Sequence, residues 1–129
     1  MKWIPILMAL LLLSGCAAQV QKEQSYRQIN MDEAIAMMEA ESDYIILDVR
    51  TPEEFSEKHI PGAINIANET IGSEEILELP DKYQLILVYC RSGNRSKQAS
   101  EKLVALGYTN IIEFGGINDW PGEVVSGAE

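Results

Sequence analysis

The chain has 129 residues, 47% hydrophobic and 23% charged, a composition that supports one globular core and argues against disorder. A formal net charge of −10 argues against a nucleic-acid partner and against electrostatic docking on an anionic membrane, since both need clustered Lys and Arg. An anionic substrate must then be drawn by local charge, and the close pair Arg91 and Arg95 is where that charge lies.

The first element is a targeting segment. Lys2 supplies a positive end, and Ile4 to Leu13 form an apolar stretch interrupted by Pro5. That stretch is too short for a mature spanning helix, which takes roughly 20 residues, so residues 1–15 are predicted to be a signal peptide. Leu13-Ser14-Gly15-Cys16 resembles the bacterial lipobox. The resemblance implies that Cys16 is lipidated and that the protein is extracytoplasmic, held to a bacterial envelope membrane by lipid alone. The alternative is a plain secretory signal with an incidental cysteine. With Cys16 lipidated, Cys90 is the one thiol of the mature chain and no intramolecular disulfide can form.

Residues 16–25, the lipidated cysteine and a polar stretch without periodicity, form a tether, and residues 26–129 form the domain. From Tyr26 onward strand-like and helix-like segments alternate, which predicts an α/β domain with a mostly parallel sheet. Tyr26–Ile29 is a brief first strand. Asn30 caps the next helix with Glu33 in the reciprocal position, and Met31, Ile35 and Met38 share a face of it. Tyr44–Val49 is an apolar strand. Thr51-Pro52-Glu53-Glu54 is a second capping box with proline at the first helical position. His59-Ile60-Pro61-Gly62-Ala63 is a turn and Ile64–Ile66 a third strand. Ser73–Leu79 is predicted to be a helix whose acidic face is solvated. Leu85–Cys90 is a strand, Ser96–Leu106 a helix ended by Gly107, and Asn110–Phe114 the last strand.

The chemistry centres on Cys90. It ends a six-residue apolar run, Leu85-Ile86-Leu87-Val88-Tyr89-Cys90, and Arg91-Ser92-Gly93-Asn94-Arg95-Ser96 follows at once. Ligands of open α/β sheets sit beyond the carboxyl ends of the strands, where Asp48, Cys90 and Gly115-Gly116 all fall. A cysteine between strand and helix meets loop N–H groups and the positive end of a helix dipole, and both favour thiolate. The loop is expected to wrap its N–H groups around the sulfur, with Gly93 adopting a positive φ and Asn94 tolerating one.

Cys90-Arg91-Ser92-Gly93-Asn94-Arg95-Ser96 resembles the active-site loop of single-domain rhodaneses. Asp48-Val49-Arg50, Glu54-Phe55 and His59-Ile60-Pro61-Gly62-Ala63 resemble that family's N-terminal signature, and Glu113-Phe114-Gly115-Gly116-Ile117 with Trp120 its C-terminal one. The resemblance spans about Tyr26 to Val125 with its blocks in the family's order. It implies a three-layer α/β/α domain around a five-stranded parallel sheet of order 1-5-4-2-3. It also implies a sulfurtransferase in which Cys90 takes the outer sulfur of thiosulfate or another sulfane donor and passes it to a thiol or cyanide. The partners so implied are a small sulfur-containing anion and a thiol or cyanide acceptor, a redox protein among the candidates, with no cofactor.

Arg91, Ser92, Gly93, Asn94, Arg95 and Ser96 are then the substrate-binding residues, with Asp48, Arg50 and His59 as structural support. Arg95 either braces the loop on an acidic side chain such as Asp48 or touches substrate, and Arg50 is placed to pair with Glu54. One His and one free Cys do not make a closed metal site. Two other readings compete. A phosphatase or arsenate-handling enzyme of the same fold would use a Cys-x₅-Arg loop, whereas four residues separate Cys90 from Arg95. A sulfur-carrier or redox-partner binding module would take its sulfur from another protein.

Overall fold

The computed structural model describes residues 25–128. The predicted signal peptide, Cys16 as the expected lipidation site and all but the last residue of the expected tether lie outside the described residues. Eight principal elements follow in order: β1 (Arg27–Gln28), α1 (Met31–Ala40), β2 (Tyr44–Asp48), α2 (Pro52–Glu57), β3 (Ile64–Asn65), β4 (Leu85–Cys90), α3 (Asn94–Ala105) and β5 (Ile111–Gly116). The five strands form one parallel sheet in the order β1-β5-β4-β2-β3, as the resemblance implies.

The central strands read as apolar runs because both faces are covered. The two-residue period of β4 sends Ile86, Val88 and Cys90 to one face, where they pack with Ala99 and Leu103 of α3. Leu87 and Tyr89 point the other way, into a cluster with Ala34 of α1 and Phe55 of α2. Helices on both faces make three layers, and Cys90 lies on the α3 face at the carboxyl end of its strand.

Both predicted capping boxes form. Asn30 accepts from the Glu33 N–H and Thr51 from the Glu54 N–H, with Pro52 opening α2. The Asn68–Thr70 segment is a short 3₁₀ turn that the sequence did not announce.

Two expectations are corrected. Ser73–Leu79 is not a helix but an irregular segment with a turn at its end. Between Gly72 and Pro80 there is room for barely two turns, Glu74 and Glu78 would repel at i,i+4, and so short a helix does not offset its nucleation cost. The segment instead buries Leu79 in the α3-side cluster, with Ile76 packed partly buried against it, and the Tyr108 hydroxyl donates to the Leu79 carbonyl. The second correction is the start of α3, which begins at Asn94 and not at Ser96. Gly93, at φ 113°, takes the N-cap position, so Asn94, Arg95 and Ser96 form the first helical turn. The loop after Cys90 is therefore only Arg91, Ser92 and Gly93, and Asn94 has no positive φ.

Candidate active site

Cys90 ends β4 with its sulfur beneath the start of α3, 1% exposed. The Gly93 N–H donates to Sγ at 3.0 Å, and the Ser96 hydroxyl lies 3.4 Å from it. Burial alone would push this thiol up. Hydrogen bonds from the Ser96 hydroxyl and from the N–H groups of Ser96, Gly93 and Ser92 outweigh burial and hold it below its ordinary value. The expected cradle thus narrows to three N–H groups and a hydroxyl, because helical geometry commits the rest of the first turn.

The opposite rim is set by two glycines. β5 carries a bulge against β4, where Val88 pairs with Glu113 but Cys90 pairs with Gly116. Gly115 takes φ 97° within it. A Cβ on Gly116 would fall 2.0 Å from the Arg91 carbonyl oxygen, so the loop lies directly against the strand only because that side chain is hydrogen.

The charged residues sort by distance. Arg95 grips Glu54 of α2 with two bonds, Nη1 to Oε1 at 2.6 Å and Nη2 to Oε2 at 3.0 Å. This brace ties α3 to α2, and the acidic side chain that serves it is Glu54 and not Asp48. Arg91 is 65% exposed, with Nε 4.0 Å from Glu54 Oε2. Ser92 and Asn94 are exposed, whereas Gly93 and Ser96 are buried.

Arg50 does not pair with Glu54. Its guanidinium bonds Asp48 Oδ2 at 2.6 Å and the Lys58 carbonyl at 2.6 Å, and its own N–H reaches Asp48 Oδ1 at 2.9 Å. Two residues beyond Asp48, it folds back onto a carboxylate that is already buried. His59 stacks on Phe55 at 3.7 Å, and its Nδ1 lies 2.8 Å from the Phe55 carbonyl. Phe55 and Tyr89, whose ring the Arg50 guanidinium faces at 5.8 Å, belong to the α1–α2 face, so these three residues are not gathered around the sulfur.

One residue of the site went unassigned in sequence. Glu113, 3% exposed, accepts from the Ser96 hydroxyl at 2.6 Å and from the Gly115 N–H at 2.7 Å, both at Oε2. The signal was a single carboxylate inside the apolar run Ile111-Ile112-Glu113-Phe114, where an acidic side chain is rarely buried without a partner.

The brace carries a pH dependence. Arg95 lowers the Glu54 carboxyl most, burial opposes it, and Thr51 bonds add to the lowering, for a value of about 2 against an ordinary 4.5. A carboxylate depressed on folding stabilises the protein above its unfolded value, and that contribution is lost as pH falls through the folded value. Glu54→Gln is expected to be less stable than wild type at pH 6, with the difference shrinking below 4.5 and gone near 2. Urea midpoints of both proteins across that range check it; a difference that persists undiminished at pH 2 contradicts it.

A thiol held toward its anionic form by N–H donors at the carboxyl end of a parallel strand, beside a braced arginine, is the candidate site of this α/β domain. Residues 30–123 match the Rhodanese-like domain, and the chain belongs to that family. Thiosulfate sulfurtransferase PspE of Escherichia coli is 40% identical over 73 residues, which cover 57% of this chain and 70% of PspE. Thiosulfate sulfurtransferase GlpE of Coxiella burnetii is 31% identical over 96 residues, covering 74% of this chain and 87% of GlpE. A solved E. coli rhodanese with anions superposes with a TM-score of 0.60 at 37% identity, over 65% of this chain and 99% of that one. Family membership and these relatives support sulfurtransfer in general.

Proposed function

We propose that the protein is a sulfurtransferase that carries sulfane sulfur on Cys90 as a persulfide. The observation that carries this reading is the Gly93 N–H at 3.0 Å from Sγ, within a set of donors that favours anionic sulfur. The Cys90 thiolate attacks the outer sulfur of thiosulfate or a similar donor. A sulfur–sulfur bond forms to Cys90 as the bond to the donor's outer sulfur breaks, and the rest of the donor, sulfite in the case of thiosulfate, leaves with the electron pair. Cyanide or a thiolate then attacks the outer persulfide sulfur, and the Cys90 thiolate is restored.

The loop donors stabilise each anionic sulfur species in turn. Exposed Arg91 attracts the donor anion, and Arg95, held on Glu54, fixes the loop. Ser92, Gly93, Asn94 and Ser96 complete the substrate-binding loop, while Asp48, Arg50 and His59 support the fold behind it. The deep position of the sulfur favours a donor that presents a terminal sulfur at its tip. PspE and GlpE are named for thiosulfate sulfurtransfer, and the E. coli rhodanese structure holds anions, which supports both halves of the reading.

Initial rates of thiocyanate formation, with thiosulfate and cyanide varied together, are expected to give parallel double-reciprocal lines, the mark of two half-reactions. Intersecting lines would oppose a covalent carrier. On the pattern Leu13-Ser14-Gly15-Cys16 we also propose anchoring through a lipid on Cys16 in a bacterial envelope, outside the cytoplasm. Cys16→Ala should then move the protein from the membrane to the soluble fraction, and continued membrane association would count against it.

A further inference from the structure

We infer that Glu113 is the proton acceptor for Cys90, reached through the Ser96 hydroxyl, so that the buried site shares protons between a thiol and a carboxyl group. The inference deepens the persulfide reading and rests on it. Three observations place the groups. Bulged β5 carries Glu113, opposite Val88, on the α3 face, where it meets Ser96 of the first helical turn. The Ser96–Glu113 bond, at 2.6 Å, has the length of a charge-assisted O–H···O⁻ contact. The Cys90 thiol donates to the same Ser96 oxygen at 3.4 Å.

Ser96 has one hydroxyl proton and several acceptors. Besides Glu113 these are the Gly93 carbonyl at 2.9 Å, the Gly115 carbonyl at 3.3 Å and, once ionised, the sulfur. While that proton is given to Glu113, it cannot serve the thiolate. Ionisation of Cys90 therefore takes two hops. The Sγ–H bond breaks and its proton bonds to Ser96 Oγ, while the original Ser96 proton moves to Glu113 Oε2. The products are a thiolate that accepts from Ser96 and a neutral Glu113, with no change in net charge in a site shielded from water. The carboxyl group then holds the proton while Cys90 cycles between thiolate and anionic persulfide. Two ionised groups so close would repel across a buried hydroxyl.

Other charged and titratable groups face this cluster from neighbouring elements. Arg95 feels the Cys90 charge from α3, and Glu54 of α2 binds both Arg95 and the more distant Arg91. Tyr26, just before β1, is raised by burial and by the charges of Glu101 on α3 and Glu113.

The test is the ultraviolet absorbance of the Cys90 thiolate followed across pH in the full chain. Cys90→Ala serves as the baseline, removing the contributions of tyrosines and of Cys16. Wild type is expected to ionise in two steps separated by a plateau of partial thiolate, the behaviour of a coupled pair. Glu113→Gln, which keeps the shape and removes the acceptor, should collapse this to one step. Glu113→Ala, a second way of removing the acceptor, should lose the plateau as well and decides the matter if Glu113→Gln does not fold. A single step in wild type overturns the inference, as does a plateau that survives in either folded variant. A residue that only propped the loop would displace the curve without changing its number of steps. Failure here leaves the two-half-reaction kinetics untouched, whereas failure of those kinetics removes the persulfide reading itself.

Discussion

Cys90→Ala is expected to fold as wild type does and to transfer no sulfur. The functional half of this result follows from covalent catalysis. With no sulfur at position 90 there is no atom to carry the transferred one, and the surrounding N–H groups have nothing to stabilise. Activity with thiosulfate and cyanide should fall by at least about 10³-fold, since the nucleophile and its supports act as a unit. The structural half follows from the packing. Cys90 belongs to the α3-side cluster, but its neighbours Ile86, Val88, Ala99 and Leu103 stay in place. Loss of one sulfur atom at the strand end should change stability by no more than about 1 kcal/mol. Circular dichroism and urea denaturation measure the second half independently of the first. A variant that unfolds would make Cys90 a core residue, and one that retains transfer would move the chemistry elsewhere.

The largest loss of stability is expected from Arg50→Ala. Arg50 and Asp48 are 3% and 0% exposed and are joined by a 2.6 Å ion pair with further bonds to Nε and to the Arg50 N–H. Removal of the guanidinium leaves a carboxylate buried without its counter-charge, which typically costs 3–5 kcal/mol. It also takes away the donor to the Lys58 carbonyl, which ends α2. For a domain of this size the melting temperature should drop by roughly 10–20 °C. Asp48→Ala combined with Arg50→Ala removes the orphaned charge as well and should lose less than the two single changes added together. Additive losses would mean that the pair is not coupled. Neither residue is near the sulfur in the packing, so whatever fraction stays folded should keep its reactivity.

The legible parts of the fold were those written in local sequence. Leu85–Cys90 is apolar throughout because it is central, and both ends of that strand were placed without error. The capping boxes at Asn30 and Thr51 need only four residues each to be recognised. Strand order came from the family resemblance, since the period of a strand says nothing about its neighbour. The helix expected at Ser73–Leu79 failed because its acidic composition and Pro80 left propensity without packing to support it. The start of α3 was misplaced by two residues because Gly93 both turns the chain and caps the helix.

In the candidate site, the cysteine and the loop that folds over it were legible, being contiguous from Cys90 to Ser96. Its partners were not. Arg95 meets Glu54 across 41 residues and Ser96 meets Glu113 across 17, contacts made only after the sheet has brought α2, α3 and β5 together. Glu113 was quoted within a motif and given no task. Only its carboxylate among buried isoleucines hinted at a polar partner, and the identity of that partner depends on the β5 bulge.

Whether Cys90 accepts a sulfur atom and gives it up again can be read from the intact mass of the protein after brief treatment with thiosulfate. The expected result is a gain equal to one sulfur, mapped to the peptide that contains Cys90, absent in Cys90→Ser and removed by cyanide. No gain with thiosulfate or any other sulfane donor, or a gain that persists in Cys90→Ser, would contradict it.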